Sequence, residues 1–203
     1  GYVNALVWKD GKLYVGGEFT NVGGGNPANY LAMWDGTWHT VGDGFDGPVR
    51  ALALDSAGNL YAAGEFSYAG NLFVNHIARW DGTQWSDCGY GMIGYEHYTS
   101  VYTLASVNGF LYAGGYFKIA GGIYARNLAG WDGAQWTATG TGFGKGMDSY
   151  INKFVYWDNA LWAGGNFERA GDQQAGFIAS WNGSGWSEPF CKRVPTLPKI
   201  FDK

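Results

Sequence analysis

The chain has 203 residues, a formal net charge of −4, and 35 glycines alongside 11 Trp, 14 Tyr and 12 Phe. Glycine at about two and a half times its usual share, with no three-residue period, excludes a collagen-like rod, and the abundance of large rings excludes a disordered chain. The acidic balance argues against a nucleic-acid partner, whose phosphates demand basic patches, and no apolar run approaches the length of a membrane-spanning helix.

In chain order, an inner strand near residues 3–8 is followed by an Asp10-Gly11 turn and the segment Leu13-Tyr14-Val15-Gly16-Gly17-Glu18-Phe19. A glycine-bearing loop leads to Trp34-Asp35-Gly36, closed by Trp38. The second unit shows the pattern most clearly. Residues 49–55 alternate as a half-buried strand does, Ser56-Ala57-Gly58-Asn59 makes a turn, and residues 60–66 form a second strand. His76-Ile77-Ala78-Arg79-Trp80 is a third strand, Asp81-Gly82 a two-residue hairpin turn, and Trp85 opens a fourth strand.

The same two motifs return twice more, in phase. Leu111-Tyr112-Ala113-Gly114-Gly115-Tyr116-Phe117 precedes Trp131-Asp132-Gly133 and Trp136, and Leu161-Trp162-Ala163-Gly164-Gly165-Asn166-Phe167 precedes Trp181-Asn182-Gly183 and Trp186. Tyr14, Tyr61, Tyr112 and Trp162 mark a period of 47, 51 and 50 residues. Four antiparallel strands repeated at this period predict an all-β fold, a β-propeller of four blades. The blades fall at about 1–45, 46–95, 96–146 and 147–187. The paired glycines allow inner strands to approach closely, and an indole found in every blade serves the core.

The glycine doublet with its spaced aromatic pair is similar to kelch-type propeller repeats. The fuller pattern, Leu-Tyr-Ala-Gly-Gly-x-Phe then Trp-Asp-Gly-x-x-Trp, resembles repeats of secreted bacterial surface proteins. The match covers roughly residues 2–187. The hairpin between the two Trp is shorter than in typical kelch repeats, and Ala63 replaces the first glycine in blade two. The resemblance implies a secreted or cell-surface location and specifies fold far better than function. Residues 188–203 carry three prolines and lie outside the repeat, so they read as an extended tail. The chain starts without Met or a leader peptide, which reads as a processed or excised product.

Cys88 and Cys191 have no metal-ligand spacing; a disulfide and two unpaired thiols are both compatible with the sequence. Each blade is whole in chain order, with no strand shared between the termini. Three closures remain open: a four-blade ring pinned by the tail, part of a larger propeller, or two copies joined into eight blades. A fragment or subunit of something larger is favoured.

In such a blade the first-to-second and third-to-fourth hairpins share one face and are tight here. The second-to-third loops and the connectors share the other face and are longer and irregular, which makes it the candidate binding face. The connector Tyr90-Gly91-Met92-Ile93-Gly94-Tyr95-Glu96-His97-Tyr98 is expanded and sets rings beside a carboxylate and an imidazole. Glu18, Glu65, Tyr116 and Asn166 are equivalents that point opposite to the Leu and Phe of their strands. The expected ligand residues are therefore Glu18, Glu65, Tyr116, Asn166, Tyr90, Tyr95, Glu96, His97 and Tyr98. Tyr30, His76, Asn127 and Phe177 are also equivalents, and their spread reads as tolerance.

The expected function is an extracellular, non-catalytic module that binds a glycan, a protein or a surface. The competing reading is a structural subunit of a surface layer, appendage or filament that self-associates. No nucleophile elbow, metal-ligand spacing or cofactor fingerprint supports an enzyme, and neither a cofactor nor a metal is expected. Asn182-Gly183-Ser184 fits an N-glycosylation acceptor, but a hairpin turn explains it fully.

Overall fold

The computed structural model describes residues 1–95, 98–139 and 146–187. Four antiparallel four-stranded sheets form the frame. Blade one comprises Val3–Lys9, Lys12–Gly17, Leu31–Trp34 and Trp38–Thr40. Blade two comprises Val49–Leu54, Leu60–Gly64, Ile77–Trp80 and Trp85–Asp87. Blade three comprises Ser100–Val107, Phe110–Tyr116, Leu128–Trp131 and Trp136–Ala138. Blade four comprises Ile151–Trp157, Ala160–Gly165, Ile178–Trp181 and Trp186–Ser187. In every sheet the strands lie side by side in chain order, from an inner strand to an outer one.

Local chemistry sets these hairpins. Asp10 and Gly11 both take positive φ, as do Asn108 and Gly109, and Asp158 and Asn159. Two left-handed residues in succession give the turn whose twist matches the flanking strands. The Trp-Asp-Gly motif works through its carboxylate. Asp81 Oδ1 accepts from the backbone N–H of Thr83 and Gln84 and from the Thr83 hydroxyl. Asp132 repeats the two backbone bonds, and Asn182 makes all three with Ser184 and Gly185. That use of Asn182 Oδ1 gives its motif a turn-forming role in the fold.

The core lies in the seams between blades. Phe66, Phe117 and Phe167, the last residues of the glycine motif, are fully buried. The two Trp of each blade pair at 5.1–5.3 Å between ring centroids, and in blades two to four they lie on the preceding blade. Trp85 Nε1 donates to Val41 O at 3.2 Å, and Trp136 Nε1 donates to Cys88 O at 2.7 Å, each one blade back. Burial of rings and aliphatic groups in these seams is the main favourable term for the fold. Cys88 is buried, has no disulfide partner among the described residues, and its thiol is pushed well up from its ordinary value by desolvation; Cys191 and the expected tail, 188–203, lie outside the described residues.

The loop face departs from expectation. It is regular rather than irregular. Each second-to-third loop folds into a two-stranded ribbon: Asn21–Val22 with Asn26–Pro27, Tyr68–Ala69 with Leu72–Phe73, Ile119–Ala120 with Ile123–Tyr124, and Arg169–Ala170 with Gln173–Gln174. The incoming connector then pairs with the ribbon of the blade it enters, through Phe45 on Ala69, Met92 on Ala120 and Met147 on Ala170. The repeated Ala-Gly step is the local cause: Gly70, Gly121 and Gly171 all take φ near +55° and turn the ribbon.

Neighbouring blades meet through their inner strands, one on two, two on three and three on four. Blades one and four share no such interface among the described residues. Among the described residues the four blades therefore do not close into a ring.

Candidate functional site

Every inner strand carries a β-bulge near its start. Its pairing skips one residue: Asn4, Arg50, Tyr102 and Asn152 in blades one to four. A bulge leaves the extra residue outside the ladder and re-aims its side chain. These four therefore stand beside the residues that leave the second strands, Glu18, Glu65, Tyr116 and Asn166. The backbone anchors that row: Glu18 N donates to Tyr2 O, Glu65 N to Pro48 O and Asn166 N to Tyr150 O.

Arg50 ties the first two blades together. Its Nε donates to Glu65 Oε1 at 2.9 Å, and its Nη1 pairs with Glu18. All three side chains are partly buried. Glu65 Oε1 also accepts from the Tyr98 hydroxyl at 3.0 Å and from Ser100 Oγ at 3.4 Å. The Tyr98 and Tyr102 hydroxyls lie 3.2 Å apart. Burial, together with those two bonds, raises the Tyr98 phenol well above its ordinary value, so it stays a neutral donor.

Tyrosine rings continue the cluster into blades three and four. Tyr95 and Tyr98 lie 4.9 and 6.0 Å from Tyr116, and Tyr150 contacts both Tyr116 and Tyr102 at 6.4 and 6.1 Å. A cleft of about 480 Å³ opens beside them, lined among others by Glu65, His76, Ile93, Tyr95, Tyr98 and Thr99. His76 Nδ1 is buried there with no hydrogen-bond partner, and burial holds the imidazole below its ordinary value.

Of the expected residues, Glu18, Glu65, Tyr95, Tyr98 and Tyr116 come together in this cluster. Asn166 is exposed at the equivalent place in blade four, and its side chain makes no hydrogen bond among the described residues. Tyr90 is 83% exposed and stands apart. Glu96 and His97 lie outside the described residues. Sequence reasoning missed Arg50, Tyr102 and Tyr150. The signal for the first two is their shared offset, one residue after Val49 and Val101, but a bulge breaks the alternation by which facing is read.

Tyr30, His76, Asn127 and Phe177 share a backbone state rather than a chemistry: all four take φ between +66° and +77°. Asn127 uses that state best. It accepts from Phe117 N and donates to Met147 O, binding the loop to the connector.

A second cavity, of about 380 Å³, lies on the hairpin side between blades three and four, over Leu161 and Trp181. A smaller one of about 160 Å³ occupies the equivalent seam between blades two and three. The groove is thus a recurrent product of the architecture. No group of three or more His, Cys, Asp or Glu able to hold a metal ion occurs among the described residues.

A family model described as a domain of unknown function (DUF5122) beta-propeller matches residues 9–32, the second strand, ribbon and start of the third strand of blade one. The chain is built of propeller blades. No curated protein matches it. Among solved structures it is similar to the crystal structure of the computationally designed Ika4 protein. That likeness has 14% identity and a TM-score of 0.48, over 89% of this chain and 90% of the other. It is also similar to the computationally designed Ika8 protein, with 14% identity and a TM-score of 0.27 over 88% of this chain and 70% of that one.

Proposed function

We propose that the chain is a non-catalytic binding module that takes a polyhydroxylated ligand, a glycan, on its loop face. One observation carries this reading: a row of tyrosine rings runs into a shared carboxylate–guanidinium cluster beside an open cleft. Ring faces accept the apolar C–H face of a sugar, while Glu65, Arg50 and Tyr98 offer fixed acceptors and donors to hydroxyl groups. The arrangement suits binding better than hydrolysis, because Glu18 and Glu65 are both committed to one Arg50 guanidinium. The kelch-like, Trp-Asp-Gly character of the repeats and their likeness to secreted surface proteins support a location outside the cell.

A glycan array followed by calorimetry tests the reading. It predicts a ligand class whose affinity falls at least tenfold in Tyr98→Ala and in Glu65→Gln. Retention of no glycan, or retention that both variants leave unchanged, rejects it, and a protein ligand found by pull-down would replace it.

A further inference from the structure

The two ends of the arc carry the two halves of one interface. Within the chain, blades one and three offer a second-strand glycine, and blade two the buried Ala63, to the inner strand of the next. A Cβ on Gly16 would lie 2.5 Å from Val49 Cγ1 and 3.4 Å from Leu52 Cδ1. A Cβ on Gly114 would lie 2.6 Å from Phe154 Cζ and 3.1 Å from Ile151 Cγ2. Gly164 holds the same place in blade four, and a Cβ there would meet nothing within 4 Å. Val155 and Trp157 on the same side of blade four are more than 60% exposed, whereas their equivalents Ala53 and Val107 are buried.

Blade one presents the missing partner. Val3 and Leu6 occupy the register positions of Val49 and Leu52, and of Ile151 and Phe154. Val49, Val101 and Ile151 are fully buried, but Val3 is 58% and Leu6 60% exposed. Trp34 is also exposed, while its equivalents Trp131 and Trp181 are buried on the preceding blade.

We propose that a second copy of this chain seats its Val3 and Leu6 on Gly164, and that two copies close head to tail into one eight-blade ring. The occupant follows from the surfaces themselves. The trailing face of blade four lacks a valine–leucine pair in a fixed register, and the leading face of blade one is such a pair without a cover. The step from blade four to the next blade one is the step the chain already makes three times. A head-to-tail contact must either close or polymerise. Two four-blade arcs close at eight, inside the range propellers adopt. This inference is independent of the glycan reading.

Sedimentation and light scattering of the chain across a hundredfold concentration range should give twice the 22.0 kDa chain mass. Gly164→Val should be monomeric with an unchanged circular-dichroism spectrum, since the new side chain meets nothing within its own chain. Leu6→Glu should be monomeric for the complementary reason. Mixing the two variants should restore a 1:1 complex, because one of the two interfaces then joins unaltered faces. A parent that stays monomeric throughout, a mass that grows past two copies with concentration, or a mixture that stays monomeric would overturn the proposal. The first outcome would leave the face to a blade of another chain or segment.

Discussion

Gly16 is packed so closely on Val49 that a single added carbon would come within 2.5 Å of the valine, and blade four repeats the glycine with nothing against it. The same residue type at the same register therefore has opposite tolerance. Gly16→Val should cost about 1–3 kcal/mol through overpacking of a seam. Gly164→Val should change the unfolding free energy of the isolated chain by about 0.5 kcal/mol or less, as exposed substitutions do. Urea unfolding of the two variants, the second measured under monomeric conditions, gives the comparison.

Arg50 holds two carboxylates from different blades, so its loss leaves them facing each other. Arg50→Met should destabilise by about 1–3 kcal/mol, most of it the cost of partly buried acceptors left without their donor. The triple replacement with Glu18→Gln and Glu65→Gln should recover part of that loss. Chemical denaturation of the single, double and triple variants isolates the coupling.

His76 titrates against the fold. Burial lowers its folded value below the ordinary 6.5, so the unfolded chain takes up the proton first as pH falls. The stabilising contribution of the neutral imidazole is complete above about pH 6.5 and declines below it. The melting temperature should fall between pH 7 and pH 5. His76→Asn, which reproduces Asn127 at an equivalent left-handed position, should lose this part of the slope while keeping stability at pH 7 within about 1 kcal/mol. Thermal melts of both proteins across that range check it.

Asp81 sits in an exposed turn, where backbone and hydroxyl donors hold its carboxylate down at about 2. Its contribution is present above the ordinary carboxylate value of 3.8 and is lost as pH falls toward 2. Asp81→Asn should be tolerated, since Asn182 makes the same three bonds in blade four, and Asp81→Ala should lower the melting temperature more. Melts at pH 7 and pH 3 separate the two, with the difference between parent and Asp81→Asn shrinking in acid.

The repeat was legible because every copy of Tyr61 and Trp80 solves the same packing problem. Glu18, Glu65 and Tyr116 were legible by register alone. Arg50 and Tyr102 were not, because a bulge at each inner strand shifts facing by one residue without any change of residue type to mark it. The ribbons at Ala69, Ala120 and Ala170 were hidden for another reason: two-residue pairings leave no periodicity, and their partners, Phe45, Met92 and Met147, lie about twenty-five residues away in sequence. The uncovered face at Gly164 was not legible, since Gly16 and Gly164 differ only in what lies opposite them, although the missing shared strand already favoured a part of something larger.

In the proposed ring, Val3 and Gly164 are partners across two chains. Within the chain, a Cβ on Gly16 lies 3.1 Å from Val49 Cβ, close to the separation of about 3.5–4.5 Å that a disulfide spans. A chain carrying Val3→Cys and Gly164→Cys, oxidised gently and sized without reductant beside the parent, should run as a covalent pair of twice the chain mass. An oxidised monomer with an internal Val3→Cys to Gly164→Cys link would mean that the four blades close on themselves, and two free thiols would mean that the faces never meet; either result would contradict the account.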